Sequence, residues 1–234
     1  MRRKLRAAIG VRHGAALADI YQRMVTSKPY QPDAQSAGRR SLKNACLDLL
    51  AMTEQDEAIA RAFAQYNDAD NMTDRIAALE TLAQHDRPER ATALDDFYKR
   101  YADDPLIIDK WLSLQAAIPE TATLDRVRAL TKHPAFSDSN PNRIRALIGA
   151  FAQVNHTQFN RADGAGYDFV ADFVLALDPK NPQVAARLMG AFRSWRALEA
   201  VRRGRAETVL RRVVAVPAQS RDVHDIVVRT LADN

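Results

Sequence analysis

The chain has 234 residues, 47% of them hydrophobic and 27% charged, which excludes a disordered chain and leaves room for a real core. Its single cysteine, Cys46, excludes a disulfide framework and fits a reducing compartment. The net charge is +5, with basic residues grouped at Arg2, Arg3, Lys4 and Arg6 and again at Arg202, Arg203, Arg205, Arg211 and Arg212; with almost no aromatics beside them to stack bases, these groups read as solvated helix faces and argue against a nucleic-acid partner.

Ala, Leu and Arg dominate and Gly is scarce, so composition favours helix throughout. The first expected helix covers residues 3–25, with Leu5, Ile9, Ala16, Ile20 and Met24 on one stripe, and ends at Lys28-Pro29. Gln31 to Gly38 reads as a polar loop. Ser41 to Ala51 is the clearest amphipathic run, with Leu42, Ala45, Cys46, Leu49 and Leu50 at helical spacing. Cys46 is therefore a small core residue.

A helix carrying Ile59, Phe63 and Tyr66 follows. Asn71 then caps a helix whose Asp74 suits the dipole and whose stripe is Met72, Ile76, Leu79 and Ala83. Pro88 opens the next, with Ala91, Leu94, Tyr98 and Tyr101 expected inward. Asp104-Pro105 starts another, in which Ile107, Ile108, Trp111, Leu112 and Leu114 form the apolar face. A short helix around Leu124, Val127 and Leu130 ends before His133-Pro134.

The stretch Asn140 to Leu188 organises the chain. Asn-Pro opens it and Asn-Pro opens its last helix, each a cap followed by a first-turn proline. Three successive helices are expected there, the middle one short, with a glycine turn at Asp163-Gly-Ala-Gly-Tyr167. Val184, Leu188, Phe192 and Trp195 are expected on one continuing helix, Val209, Leu210 and Val213 on another. Ser220 opens a last one carrying Val223, Ile226 and Leu231.

This predicts an all-α fold of eleven to thirteen helices. Short connections make sequential helices antiparallel neighbours, and an irregular stack of such pairs forms a curved, solenoid-like layer. No fixed repeat period and no dividing linker is visible, so residues 1–234 are expected to form one domain. Arg2 onward reads as mid-helix without a cap, an expectation that further sequence precedes it. No apolar run approaches membrane-spanning length, and the basic start lacks a signal core.

The chemistry is marked by absences. None of His13, His85, His133, His156 and His224 is followed by Glu or by a second His four residues on, so the zinc-peptidase helix is missing. There is no Gly-x-Ser-x-Gly elbow and no phosphate loop. Asp68, Asp70 and Asp74 suit capping better than calcium. Asn71-Met-Thr73 and Asn155-His-Thr157 fit the glycosylation pattern without consequence in a cytosolic chain.

Three arginines stand out. Arg143 and Arg145 lie early in the helix opened by Asn140, and Arg187 lies early in the helix opened by Asn181. Cations there oppose the helix dipole at roughly a few tenths of a kcal/mol each. Either they pair with carboxylates of neighbouring helices, Asp172 and Asp178 being available, or they hold a carboxylate ligand, which a guanidinium fork matches at two points.

The blocks SLKNACLDLLA, ADNMTDRIAALETL, DDPLIIDKWLSLQA and, above all, HPAFSDSNPNRIRALIGAFAQVNHTQFNRADGAGYDFVADFVLALDPKNPQVAARL resemble the C-terminal helical domain of bacterial aminopeptidase N. The resemblance is strong from about Arg39 to Arg196 and fades towards both ends. It implies a bowl-shaped domain that closes over a catalytic domain of the same polypeptide and encloses a cavity for peptides. Zinc, its ligands and the general base would belong to that other domain, leaving this segment inactive alone. Arg145 and Arg187 match arginines that face the cavity in the family, where they would either attract peptide C-terminal carboxylates or fix the lid on the catalytic domain. The implied setting is cytoplasmic peptide breakdown, without nucleic acid or membrane. The competing expectation is an independent helical scaffold that binds protein partners through a concave face.

Overall fold

The computed structural model describes residues 2–26 and 29–232, and all regular structure among them is helical. The all-α expectation holds, with short helices joined by brief turns. Two compact units divide the chain, Met1–Arg100 and Tyr101–Asn234. That is a finer partition than the single 1–234 domain expected, and leaves that expectation as it was.

The first unit holds α1 (Arg2–Met24), α2 (Ala34–Ala51), α3 (Asp56–Asp68) and α4 (Met72–Ala83), and nearly all of α5 (Pro88–Tyr101). α1 lies along α2, and α2 also packs on α3 and α4. A buried polar network joins the four. Lys43 Nζ meets Asp74 Oδ2 at 2.6 Å and Asn44 Nδ2 donates to Asp74 Oδ1 at 3.0 Å. Gln65 Nε2 donates to Asn44 Oδ1 at 2.8 Å and to the Asp74 carbonyl at 3.0 Å, and Gln65 Oε1 accepts from Tyr21 Oη at 3.1 Å. Because Asp74 has both a cation and an amide for partners, its burial is offset.

Several expectations shift here. α1 ends at Met24; Lys28, where its stop was expected, lies outside the described residues. Leu5 is 62% exposed and Tyr21 is buried instead, since the backbone leaves helical angles at His13 (φ −116°, ψ 17°) and turns the later face. α2 starts at Ala34 and takes in most of the expected loop, because Asp33 accepts from the Ser36 amide and caps it. Its buried face is Cys46, Leu47, Leu50 and Ala51, with Leu42 at 46% exposure. In α5 the buried residues are Arg90, Ala93 and Phe97, and Ala91 is exposed. The wholly apolar Phe97 goes in, while Tyr98 and Tyr101 are half-buried.

The second unit begins with α6 (Pro105–Ala116) and α7 (Thr123–Leu130). There follow α8 (Pro141–Ile144), a π-helical turn (Arg145–Gly149) and α9 (Ala150–Gln153), running on without a break. After them come α10 (His156–Phe159), α11 (Ala165–Leu177) and α12 (Pro182–Met189). α13 (Ala200–Val214) and α14 (Arg221–Ala232) complete the unit. α6 packs on α7, the π turn and α9, α11 on α12 and α13, and α14 on α12 and α13. Phe159, Tyr167 and Phe192 meet at centroid distances of 5.1–5.6 Å and are fully buried.

The organising stretch is more broken than expected. Its middle helix, α11, is thirteen residues long. A separate single turn, α10, precedes it, and a π turn interrupts the first helix. Val184, Leu188, Phe192 and Trp195 are all buried as expected, but the α-helix stops at Met189 and gives way to two 3-10 turns, Gly190–Phe192 and Trp195–Ala197. The glycine turn divides its labour. Gly164 takes φ +83°, which glycine adopts without strain, whereas Gly166 lets α11 approach the carbonyls of Gln158 and Phe159.

Candidate functional site: an arginine-lined cleft in the second unit

Both Asn-Pro signals act as caps. Asn140 Oδ1 accepts from the Asn142 and Arg143 amides at 2.9 and 3.4 Å, and Asn181 Oδ1 accepts from the Val184 amide at 3.2 Å. These caps place the three singled-out arginines, and the structure separates them.

Arg143 is a structural residue. Its Nη1 donates to the Pro105 carbonyl at 2.7 Å and pairs with Asp109 of α6, both side chains largely buried at 12% and 21% exposure. Neither Asp172 nor Asp178 serves these arginines. Asp172 pairs with Arg212 at 2.6 Å, and Asp178 receives Ser220.

Arg145 opens the π turn and is exposed. Its guanidinium folds back on its own helix, with Nε donating to the Pro141 carbonyl at 3.2 Å and Nη2 to Asn142 Oδ1. Turns of π geometry recur at functional positions, where the wider coil redirects a side chain.

Arg187 is exposed on α12 and lines a cleft of about 440 Å³ with Ala186, Gly190, Arg193, Asp222, Asp225, Ile226 and Arg229. That volume lies within the roughly 300–1,000 Å³ usual for small-ligand sites. Arg145 does not line it, so Arg145 and Arg187 do not share this cleft. Arg193 and Arg229 were not singled out by sequence reasoning. A spacing signal existed only on α14, where Asp222, Asp225, Ile226 and Arg229 fall at i, i+3, i+4 and i+7.

The far wall of the cleft is held at both ends. Buried Asp178, at the end of α11, accepts from the Ser220 amide at 2.8 Å and its hydroxyl at 2.5 Å, and Ser220 Oγ caps α14 through the Val223 amide. At the other end, Trp195 Nε1 and Arg196 Nη1 donate to the Thr230 carbonyl at 3.0 and 2.8 Å, satisfying last-turn acceptors of α14. The Arg196 guanidinium also lies 4.4 Å over the Trp195 ring.

A second cleft, of about 540 Å³, is lined by Phe136, Phe169 and Phe173 together with Arg128 and Asp172. Here the charges are engaged: Arg128 pairs with Asp125 at 3.2 Å and Asp172 with Arg212. Among the described residues no three His, Cys, Asp or Glu side chains are grouped so as to hold a metal ion. The described residues therefore offer no three-ligand set for a zinc ion.

The helix pairs, caps and broken turns define a helical-repeat domain. Residues 1–232 match the family model described as "Domain of unknown function (DUF3458_C) ARM repeats", and the chain belongs to that family. It is 37% identical over 227 residues to aminopeptidase N of Caulobacter vibrioides, covering 97% of this chain and 26% of that protein. Aminopeptidase N of Escherichia coli is 35% identical over 203 residues, with 87% and 23% covered. A solved structure, "Crystal structure of Legionella pneumophila aminopeptidase A in complex with aspartic acid", superposes with a TM-score of 0.89 at 29% identity, covering 98% of this chain and 28% of that one. The chain thus spans about a quarter of the length of the relatives it matches, in their C-terminal region. The resemblance to the helical domain of bacterial aminopeptidase N is borne out.

Proposed function

We propose that this chain serves as the C-terminal helical domain of a zinc-dependent aminopeptidase that removes N-terminal residues from peptides. In this reading it forms a curved wall over the catalytic domain of the same polypeptide and shapes the cavity that peptides enter. It contributes no catalytic group. The zinc, its ligands and the general base belong to the catalytic domain, and the work is cytoplasmic peptide breakdown with no nucleic acid or membrane involved. The observation that carries the reading is the match along 97% of this chain to about a quarter of aminopeptidase N. Among the described residues no helix is long and apolar enough to cross a membrane.

Arg145 and Arg187 would then act on the substrate at a distance from the chemistry, drawing a peptide carboxylate into a cavity of low dielectric. The test is the full-length enzyme carrying Arg145→Ala and Arg187→Ala. The expected result is a fall in kcat/KM for peptides of several residues and an unchanged value for an aminoacyl anilide, which has no distant carboxylate. Equal kcat/KM values for variant and parent at every peptide length would remove the role. Hydrolysis of the anilide by the isolated 234-residue chain would remove the whole reading.

A further inference from the structure

We infer that the first half of α1, residues 3–12, is an acid-sensitive flap that lifts away from α2, turning at the break at His13, when the buried His85 takes up a proton. The inference concerns the first unit alone and does not depend on the proposed function.

The two halves of α1 are held differently. The half after His13 carries Tyr21, which is buried and donates to Gln65 in the polar network. Within residues 3–12 Gly10 is the one buried residue, while Leu5 and Val11 are 62% and 74% exposed. Gly10 lies so near α2 that a Cβ there would stand 2.4 Å from the Leu49 carbonyl oxygen. The polar holds are few. Arg6 pairs with Asp48, and Arg3 pairs with Glu54 at 3.6 Å and donates to the Gln84 carbonyl at 3.3 Å. Both ion pairs are partly exposed, and such pairs hold a helix weakly. A segment with few buried apolar groups opens at small cost. The non-helical backbone at His13, next to Gly14, supplies the point at which it turns.

His85 sits where that half helix meets the end of α4. It is 4% exposed, and its Nδ1 has no hydrogen-bond partner. The charged groups that face it are Glu54 from the turn after α2, Arg3 and Arg6 from α1, and Arg87 from the turn before α5. Behind them, Asp48 of α2 is the partner of Arg6 and Asp56 of α3 the partner of Arg87, while Asp86 turns to Arg90. Three cations thus stand against one anion. Glu54 is itself engaged, its carboxylate with Arg3 and its carbonyl with Arg87 at 3.0 Å. Among the described residues it is also the one non-glycine with positive φ, 59°, a strained conformation of the kind found where a segment has two arrangements.

A proton on His85 places a fourth positive charge in this group, with little water and no acceptor for the new N–H. Lifting residues 3–12 takes Arg3 and Arg6 away and lets water reach the imidazole. Glu54, freed from Arg3, is then left to face the imidazolium. Burial lowers the pKa of His85 in the docked form, whereas an imidazole in water titrates near pH 6.5. The lifted form therefore binds the proton more tightly. Docking is strongest above about pH 6.5 and weakens as the pH falls through the docked-state value.

Hydrogen exchange of the 234-residue chain, read by mass spectrometry from about pH 7.5 to about pH 5 and corrected for the intrinsic rate, tests this. Protection of amides 6–12 should fall about tenfold, the factor that one unit of pKa difference supplies. Amides 16–24 and those of α2 should keep theirs. His85→Asn, which cannot take the proton, should hold amides 6–12 at one level across the range. His13→Gln, at the exposed break, should leave the fall in place. Gly10→Ala pushes the half helix off Leu49, so amides 6–12 should exchange fast at every pH. In that variant an NMR titration should find His85 closer to its value in water than in the parent, because the coupling between docking and proton binding is reciprocal. An even loss across α1 to α4 is unfolding of the whole unit and overturns the inference. So does a fall that His85→Asn keeps or that His13→Gln abolishes, and so does protection that pH leaves alone. If His85→Asn does not fold, the Gly10→Ala titration decides, and an unmoved His85 pKa overturns the flap.

Discussion

Asp178 and Ser220, 42 residues apart, share two hydrogen bonds that fasten the start of α14 to the end of α11. Asp178 is 3% exposed, so its carboxylate relies on them. Asp178→Ala should lower unfolding stability by about 2–4 kcal/mol, since the Ser220 amide and hydroxyl lose their charged acceptor together. Chemical denaturation measures this.

Gly166 offers a sharper test of packing. A Cβ there would stand 2.4 Å from the carbonyl oxygens of both Gln158 and Phe159. Backbone atoms cannot rotate aside, so Gly166→Ala should cost about 1–3 kcal/mol despite the better helix propensity of Ala. A midpoint equal to that of the parent would show that α10 yields freely.

Arg143 and Arg145 are two residues apart and should behave oppositely. Arg143→Ala strands Asp109 in a largely buried place and should destabilise by about 1–3 kcal/mol, less than a fully buried pair would because both groups keep some solvent. Arg145→Ala should change stability by less than about 0.5 kcal/mol, as exposed side chains usually do. Denaturation midpoints of the two variants decide it.

Buried His85, with Nδ1 lacking a partner, carries the main pH expectation. Burial pushes its pKa below the ordinary value; Glu54 pulls it up, and Arg3, Arg87 and Arg6 push it down again. The unfolded chain therefore binds this proton more readily than the folded one. Stability should be unaffected by this group above about pH 6.5. It should fall as the pH drops below that value and level off once the folded-state pKa is passed. His85→Asn should flatten the fall. If the parent and this variant lose stability equally from pH 7 to 5, His85 is not the source.

Much of the fold was legible because its signals are local. Asn71, Asp104, Asn140 and Asn181 each cap through an oxygen two or three residues from the amide it binds, and all four act where the sequence put them. Faces were harder. α5 turned on the choice between Phe97 and the nearby tyrosines, which propensity does not make and packing does. The polar run before Ser41 hid a helix start because Pro32 and Gly38 suggested a loop, while Asp33 supplied the cap.

The candidate site was legible only in part for the same reason. Arg187 stood out by its place after Asn181-Pro182. Arg193 and Arg229 join it only because a 3-10 break after Met189 and the fastening of α14 bring distant positions to one cleft. The partner of Arg143, Asp109, lies 34 residues away and could not be chosen from Asp172 or Asp178 by spacing. Ion-pair partners depend on which helices become neighbours, and that information is tertiary.

Asn155 sits in an Asn-His-Thr pattern and is 2% exposed. Its amide donates to the carbonyls of Ala116 and Ile118 at 2.9 and 2.8 Å, while its Oδ1 accepts from the Gln158 amide. A sugar-transferring enzyme in a eukaryotic secretory line could reach that nitrogen only before the chain had collapsed. Once modified, the chain would have no room to close around Asn155. Production in such a host would accumulate glycoforms unable to mature, and Thr157→Val, on an exposed residue, is the repair that keeps Asn155 and gives up only the bond from Thr157 Oγ1 to Asn155 Oδ1 at 2.9 Å.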